Sequence, residues 1–448
     1  MIELILFGTF LALLLIGVPV AFSLGLGAVA AILYIGYFED LQTVPSVVFA
    51  SLSSETLLAI PFFILAGAIM EAAGISQRLV DFADASVGHF KHGLVLVVII
   101  AAFFFSAISG SGPATVAAIG TILIPAMVRK GYTPGHAASL MASAGSMGIV
   151  VPPSIAFIVF AVVVSDYERV SIARLFVAGV VPGVIMAASL MIAAAFIPRQ
   201  SMSSVPTGAV DAGNGATSSI DEAHMFSGSH FARSFAQAIP GLLVPLIILG
   251  GIYGGIFTPT ESAVVAAAFA LLVGLFVYRQ LKVRLLGRLF AQAAVQTATV
   301  MLIVGSASVF AYVITRNRVA QTVADALLGI TQNRYLILLI VLVLLLIVGM
   351  FMDAVSALYL FVPLLVPVLL EVGVDITTIG VLMVVNLAVG LVTPPVGVNL
   401  FVAAGIARVS LTDVIRGLWP FLGASLAALL IITYIPALSN WLPDQLGL

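Results

Sequence analysis

Cysteine is absent from all 448 residues. Disulfides, thiolate metal sites and a cysteine nucleophile are therefore excluded. Charge is scarce as well: Asp, Glu, Lys and Arg make up 8% of the chain, against roughly 25% in an average soluble protein. A soluble fold of this length could not cover its surface with so few charges. The net charge of −2 points to no nucleic-acid partner. Of five histidines only His89 and His92 lie close in sequence; they flank Lys91 in a polar stretch that reads as a solvated turn rather than a metal site. There is no G-x-x-x-x-G-K-[ST] loop, which argues against ATP hydrolysis by this chain. Apart from Asp353 no acid or histidine sits deep in an apolar segment, so the Ser–His or paired-Asp machinery of an intramembrane protease is missing and no enzyme is expected. What the sequence has in abundance is apolar side chain, at 62%. Several runs exceed the ~18 residues of a spanning helix. The expected fold is an all-α polytopic membrane protein in contact with lipid.

The opening "MIELILFGTFLALLLIGVPVAF" is longer than a signal-peptide core and carries only Glu3 as an early charge. It reads as a transmembrane segment bent at Gly17, Val18 and Pro19. Full crossings are expected near 3–35, 47–72, 133–164, 172–197, 239–257, 261–278, 290–314, 376–404 and 417–437. Two further apolar stretches, 93–128 and 336–370, do not fit as simple crossings. The first runs for 36 residues without a charge. One helix of that length would reach about 54 Å, against a hydrocarbon core of about 30 Å. "SAISGSGPAT" divides it into arms of thirteen to fifteen residues, which suggests a re-entrant hairpin. The second stretch has similar length and one charge, Asp353, within "GMFMDAVSALY".

Basic residues give an orientation. Arg78, Lys91, Arg129, Lys130, Arg199, Arg233, Arg279, Lys282, Arg284, Arg288, Arg408 and Arg416 fall on one side, assigned to the cytoplasm; Arg316, Arg318 and Arg334 fall outside. The first hairpin then enters from the cytoplasm and the second from outside. The polar, low-complexity stretch 200–235 reads as a flexible cytoplasmic linker. It separates a first half, 1–199, from a second, 236–448.

The halves share a pattern. "IPAMVRKG…GIVVPPS" places Pro125, Gly131, Gly148, Pro152 and Pro153 each 242 positions before Pro367, Gly373, Gly390, Pro394 and Pro395 of "VPVLLEVG…GLVTPPV". Gly179 and Pro182 likewise match Gly417 and Pro420, at an offset of 238. An odd number of crossings separates the two Pro-Pro segments, so the repeats are expected to be inverted, as in many secondary transporters. Proline within a helix removes a donor and costs about 3 kcal/mol or more. A break in lipid is tolerable only where the freed carbonyls and amides find partners. Those carbonyls suit a hard cation such as Na⁺, and half-helix N-termini suit an anion. The plainer reading is a kink that shapes helix packing.

Side-chain oxygens gather at the hairpin tips: Ser106, Ser109, Ser111 and Thr115 at the first, Asp353 and Ser356 at the second. An ionisable group at membrane depth is a functional candidate, although Asp353 could equally hydrogen-bond its own tip. Thr258, Pro259, Thr260 and Glu261 spell an external turn and a capped helix start. Ser306 and Ser308 lie within an apolar helix and could line a substrate cavity or serve packing.

With "FTPTESA", "SGSGPAT", "GIVVPPS" and "GLVTPPVGVNLF" in this order, the chain resembles over nearly its whole length the large, DctM-like membrane subunit of TRAP (tripartite ATP-independent periplasmic) transporters. The 200–235 stretch departs from that pattern in being longer. The resemblance implies Na⁺-driven uptake across a bacterial inner membrane. The solute would be an organic anion — a C4-dicarboxylate, sugar acid or keto acid — delivered by a periplasmic binding protein, with a small four-helix membrane subunit as brace. It implies an elevator in which hairpins and broken helices move against a scaffold. Carried over by position, one Na⁺ site involves Ser109, Ser111 and Gly112 with Gly145, Ser146 and Gly148. A second involves Asp353 and Ser356 with Gly390, Thr393 and Pro394. Substrate is placed near Ser109, Thr115, Pro153 and Asn399. The alternatives are a channel lined by the broken helices and a Na⁺/organic-anion symporter acting without a binding protein.

Overall fold

A computed structural model describes residues 1–36, 41–90, 92–165, 167–195 and 227–448. Among these residues there are helices and no strand, as the apolar runs require. The first departure from expectation comes at once. Instead of one bent crossing over 3–35 there are two helices, α1 (Ile2–Leu15) and α2 (Val20–Ile35), folded against each other. Gly17 takes φ +88°, and Pro19, without an amide to donate, sits at the N-cap of α2, so the chain reverses. The two backbones meet at Gly27, where a Cβ would stand 3.1 Å from the Leu6 carbonyl oxygen.

The stretch 47–72 is likewise divided, into α3 (Val44–Leu52), a 3₁₀ turn at Glu55–Leu58 and α4 (Ala59–Ala72). The amphipathic α5 (Ile75–Val87) leads to the apolar pair α6 (Gly93–Ser109) and α7 (Gly112–Arg129). Next comes the interrupted helix: α8 (Pro134–Gly145), a 3₁₀ turn at Ser146–Ile149, irregular backbone through the prolines, and α9 (Ile155–Val164). Helix α10 (Ile172–Ala194) closes the first half. Helix α11 (Gly228–Tyr253) already begins inside the stretch expected as linker; residues 200–226 of that stretch lie outside the described residues. Helix α12 (Pro259–Leu272) starts with the capping box anticipated from Thr258 and Glu261 and ends in a π turn at Val273–Val277. Helix α13 (Val283–Arg316) has 34 residues, about 51 Å at 1.5 Å per residue. Then follow α14 (Val319–Ile330), α15 (Arg334–Phe351), α16 (Ala354–Glu371), α17 (Ile376–Gly390), α18 (Val398–Ala407), α19 (Leu411–Tyr434) and α20 (Ala437–Gln445). Among the described residues nine helices are long and apolar enough to cross a membrane.

The repeat in the sequence is a repeat of elements. Moved by 242 positions, the span of α7, 112–129, becomes 354–371, the span of α16. The same shift brings α6 to within a residue of α15 and α9 to within a residue of α18, and it starts α8 where α17 starts. Helix caps correspond too. Ser111 holds the N-cap position of α7, without a side-chain capping bond, where Asp353 caps α16, and Thr133 caps α8 where Asp375 caps α17. Gly131 and Gly373, at φ +89° and +78°, turn the chain between the paired elements, and both Pro-Pro bonds are cis. The amphipathic helices α5 and α14 each follow a left-handed residue, Gly74 and Arg318. Packing is reciprocal: α7 lies on α18 while α16 lies on α9, and α8 lies on α19 while α10 lies on α17. Such exchange of equivalent contacts is what a two-fold relation produces.

The hairpin arms are longer than expected, 17 and 18 residues in the first pair and 18 in both arms of the second. The helix carries on through Ser106–Ser109, and only Gly110 and Ser111 form the turn. The two interrupted helices occupy the centre; every residue of α17 is buried. At one end Arg174 of α10 pairs with Asp444 of α20 at 2.7 Å and donates to Thr377 of α17, so α20 fastens the two halves together.

Candidate functional site

The first tip is organised by hydroxyls. Ser109 and Thr115 share a hydrogen bond of 2.7 Å, and the Thr115 hydroxyl also donates to the Ser111 carbonyl at 2.9 Å. Thr115 is fully buried. These bonds hold a turn that Gly110, at φ +60°, makes possible. The turn rests on the first break. A Cβ at Gly110 would lie 3.4 Å from the Pro153 carbonyl oxygen. From the other side, a Cβ at Gly148 would lie 2.5 Å from the Ser111 carbonyl oxygen, and one at Gly145 would lie 3.3 Å from that of Gly112. Glycine at 145 and 148 is thus what lets the broken backbone reach the tip. Ser146, in the 3₁₀ turn, donates to the Ser143 carbonyl at 2.7 Å, and Ser154 donates to that of Ile149.

The second tip is built on a carboxylate. Both oxygens of Asp353 are engaged by Ser356, one by its amide at 3.0 Å and one by its hydroxyl at 2.6 Å. This is the helix-capping role that its position allowed. It meets the second break through backbone: the Gly397 amide donates to the Met350 carbonyl at 3.1 Å, and a Cβ at Gly390 would fall 2.6 Å from the Gly349 Cα. Thr393 donates back to Val389 at 2.8 Å, which leaves its hydroxyl satisfied within the helix end. Pro394 and Pro395 interrupt the chain between α17 and α18.

The two assemblies meet at Asn399. It lies in the first turn of α18, in the second half, yet its amide nitrogen donates 3.2 Å to the Ala142 carbonyl of α8, in the first. A Cβ at Gly112 would lie 3.1 Å from both the nitrogen and the oxygen of its side chain. Asn399 is fully buried, and its side-chain oxygen has no partner. Buried polar atoms are rarely left unsatisfied. An unpaired amide oxygen between the first tip and the second break is a ready ligand for a cation or a substrate donor. The buried hydroxyls of Ser106 and Ser143, one turn away from the first tip and the first break, are unpaired too. Oxygens of this kind, neutral and mixed with main-chain carbonyls, suit Na⁺. Among the described residues no group of three His, Cys, Asp or Glu could hold a transition metal.

The structure therefore brings together Ser109, Ser111, Gly112, Thr115, Gly145, Gly148, Pro153 and Asn399, with Ser146 in the same 3₁₀ turn as Gly148. It sets Asp353 and Ser356 at the tip whose arm touches Gly390 and Gly397. Ser306 and Ser308, on α13, have neighbours outside the tips. Ser306 faces Gly25 of α2, and Ser308 bonds Ser51 of α3 at 2.6 Å. With Tyr312, Thr315 and Tyr359, Ser308 and Ser51 line a cavity of about 490 Å³ between α3, α9, α13 and α16. Asn386 was missed from sequence. It is wholly buried in α17, donates to the Leu342 carbonyl at 2.9 Å and has an unpaired oxygen. Its signal was legible as one amide in the apolar run "VLMVVNLAVG".

Residues 7–438 match the family described as DctM, the DctM component of tripartite ATP-independent periplasmic transporters. The chain is 38% identical to the C4-dicarboxylate TRAP transporter large permease protein DctM of Pseudomonas aeruginosa, over 95% of both proteins. It is 35% identical to the 2,3-diketo-L-gulonate TRAP transporter large permease protein YiaN of Escherichia coli, over 98% of both. The isethionate TRAP transporter permease protein DctMQ of Oleidesulfovibrio alaskensis is 41% identical over 97% of this chain, which spans 65% of that protein's length. Among solved structures, the transporter YdaH of Alcanivorax borkumensis superposes with a TM-score of 0.60, over 93% of this chain and 89% of that one, at 16% identity.

Proposed function

Because the chain belongs to the DctM family of TRAP transporters, and is therefore a transporter permease and a multi-pass protein of the bacterial inner membrane, we propose that it is the large permease of a Na⁺-coupled importer of an organic acid. A periplasmic binding protein would supply the solute, and a small four-helix membrane subunit would complete the complex. The substrate class is an organic anion such as a C4-dicarboxylate, sugar acid or keto acid.

The observation that carries this reading is Asn399. One fully buried side chain joins the second break to the first tip and keeps a free oxygen between them. Buried unpaired oxygens occur elsewhere in the molecule as well, but this one lies where a tip from one half meets a break from the other, as a site closing on Na⁺ would need. Na⁺ is the coupling cargo. One ion would be held around Ser109, Ser111, Gly112, Gly145, Ser146 and Gly148, another around Asp353, Ser356, Gly390, Thr393 and Pro394. Substrate would lie near Ser109, Thr115, Pro153 and Asn399. Of the two serines on α13, Ser308 lines the cavity between α3, α9, α13 and α16, and Ser306 packs on α2.

The packing supports an elevator. Tips and breaks are bound to each other by backbone contacts, so they would move as one body against α1–α4 and α11–α13. If α8 and α9 cross the bilayer as a pair, the first tip, packed on their break, stands near the midplane. Its arms then enter and leave on one face, and the reciprocal second hairpin enters from the other. That is the inverted arrangement alternating access needs.

The decisive experiment is uptake by the complex reconstituted in liposomes against a panel of organic acids, with and without an inward Na⁺ gradient and with and without the binding protein. Saturable uptake that needs both supports the reading. Flux that does not saturate would make the chain a channel. Na⁺-driven uptake indifferent to the binding protein would make it a stand-alone symporter.

A further inference from the structure

Between α4 and the first half of α13 lies a crevice of about 800 Å³. Its walls are mostly apolar, with Ala68 and Ala72 on one side and Leu289 and Val295 on the other. Arg288, Gln292 and Gln296 also line it, from α13. These three continue a row begun by Arg284: four residues spaced by four, hence on one face of the helix. Two arginines at that spacing repel each other. Neither has an acidic partner among the described residues, and both are exposed. Arg279 and Lys282, just before the helix, are exposed and without an ion pair as well. Arg78 nearby is different. It donates to the Gly74 carbonyl at 2.8 Å and lies over the Tyr278 ring at 3.6 Å, so it is engaged within the protein.

We propose that this crevice binds one anionic phospholipid, of phosphatidylglycerol type, from the leaflet on the basic side of the membrane. The phosphate sits on Arg284 and Arg288. Gln292 and Gln296, further along the same face, donate to the ester carbonyls, and an acyl chain runs over Ala68, Ala72 and Val295. Glu71, on the opposite wall, is the one acid lining the crevice. It would repel a bare phosphate placed against it, but it accepts hydrogen bonds from a glycerol headgroup whose phosphate stays on the arginine side. A basic cluster that served only to orient the chain during insertion would need no crevice beside it. Basic pockets between helices are where such headgroups lodge.

Native mass spectrometry of the full chain in mild detergent, titrated separately with phosphatidylglycerol and phosphatidylcholine, tests this. One phosphatidylglycerol is expected to be retained in preference to phosphatidylcholine. Arg284→Gln with Arg288→Gln should weaken its retention by about tenfold or more. Ala72→Phe, which fills the crevice and leaves the cations, should remove it as well, whereas Arg316→Gln, at the far end of α13, should not. Equal retention of the two lipids would overturn the proposal, as would phosphatidylglycerol retention unchanged in the arginine double variant. None of these readouts depends on transport or on Na⁺.

Discussion

At the scale of single residues, the unpaired oxygen of Asn399 separates a working site from a structural kink. Asn399→Ala removes that oxygen together with the donor to Ala142. Loss of such a buried interaction amounts to about 1–3 kcal/mol. The expected outcome is roughly a tenfold or greater rise in the KM for uptake, with the protein still reaching the membrane. Uptake into proteoliposomes across a substrate titration measures this, and an unchanged KM would leave Asn399 as packing. Gly148 makes a steric claim. A methyl group there must push the Ser111 carbonyl from 2.5 Å, with the Ser111 carbon and the Gly112 amide also under 3 Å, and backbone cannot yield as a side-chain end can. Overpacking of this kind costs about 1–3 kcal/mol. Gly148→Ala is therefore expected to displace the first tip and abolish uptake. Gly8→Ala, at a position with open space around it, should leave uptake intact.

At the scale of elements, Asp353 carries two possible roles that substitutions can part. As the cap of α16 it receives the Ser356 amide and hydroxyl. Removing a cap costs about 1 kcal/mol. Asp353→Ala should lower thermal stability, whereas Asp353→Asn retains an acceptor for the amide and should keep most of it. If the carboxylate also helps to hold Na⁺, both variants raise the Na⁺ concentration for half-maximal uptake; if it only caps, Asp353→Asn leaves that concentration where it was. Much at this scale was legible in the sequence. Pro152, Pro153, Pro394 and Pro395 mark the breaks because proline cannot donate within a helix. Thr258 and Glu261 mark the start of α12 because their capping pattern is local. Less legible were features that depend on what a residue faces. "LIGVPVAF" is compatible with a bend or with a reversal, and only packing of Gly27 on Leu6 and Phe10 decides for the reversal. Ser306 and Ser308 look like any polar pair in an apolar run; what they face is set by α2 and α3. The hairpin arms look too short in the sequence because Ser106 and Ser109 resemble turn residues, although a serine inside an apolar helix need not end it.

At the scale of the whole molecule, the reciprocal packing divides each part of the site between the halves. The second arm of each hairpin rests on the half-helix beyond the other half's break, and Asn399 reaches from one set into the other. Neither half can complete the proposed site alone. If the chain is cut between residues 195 and 227, co-expression of the two pieces should restore saturable uptake in cells supplied with the partner proteins, and either piece alone should give none. Uptake by a single piece would show that the site lies within one half. The same sharing constrains how this protein can change over generations. A substitution near Gly112 alters the room left for Asn399, nearly three hundred positions away. A variant that shifts solute preference in one copy of the repeat must thus be answered in the other, and the two copies, however far their letters diverge, are held to a common inheritance.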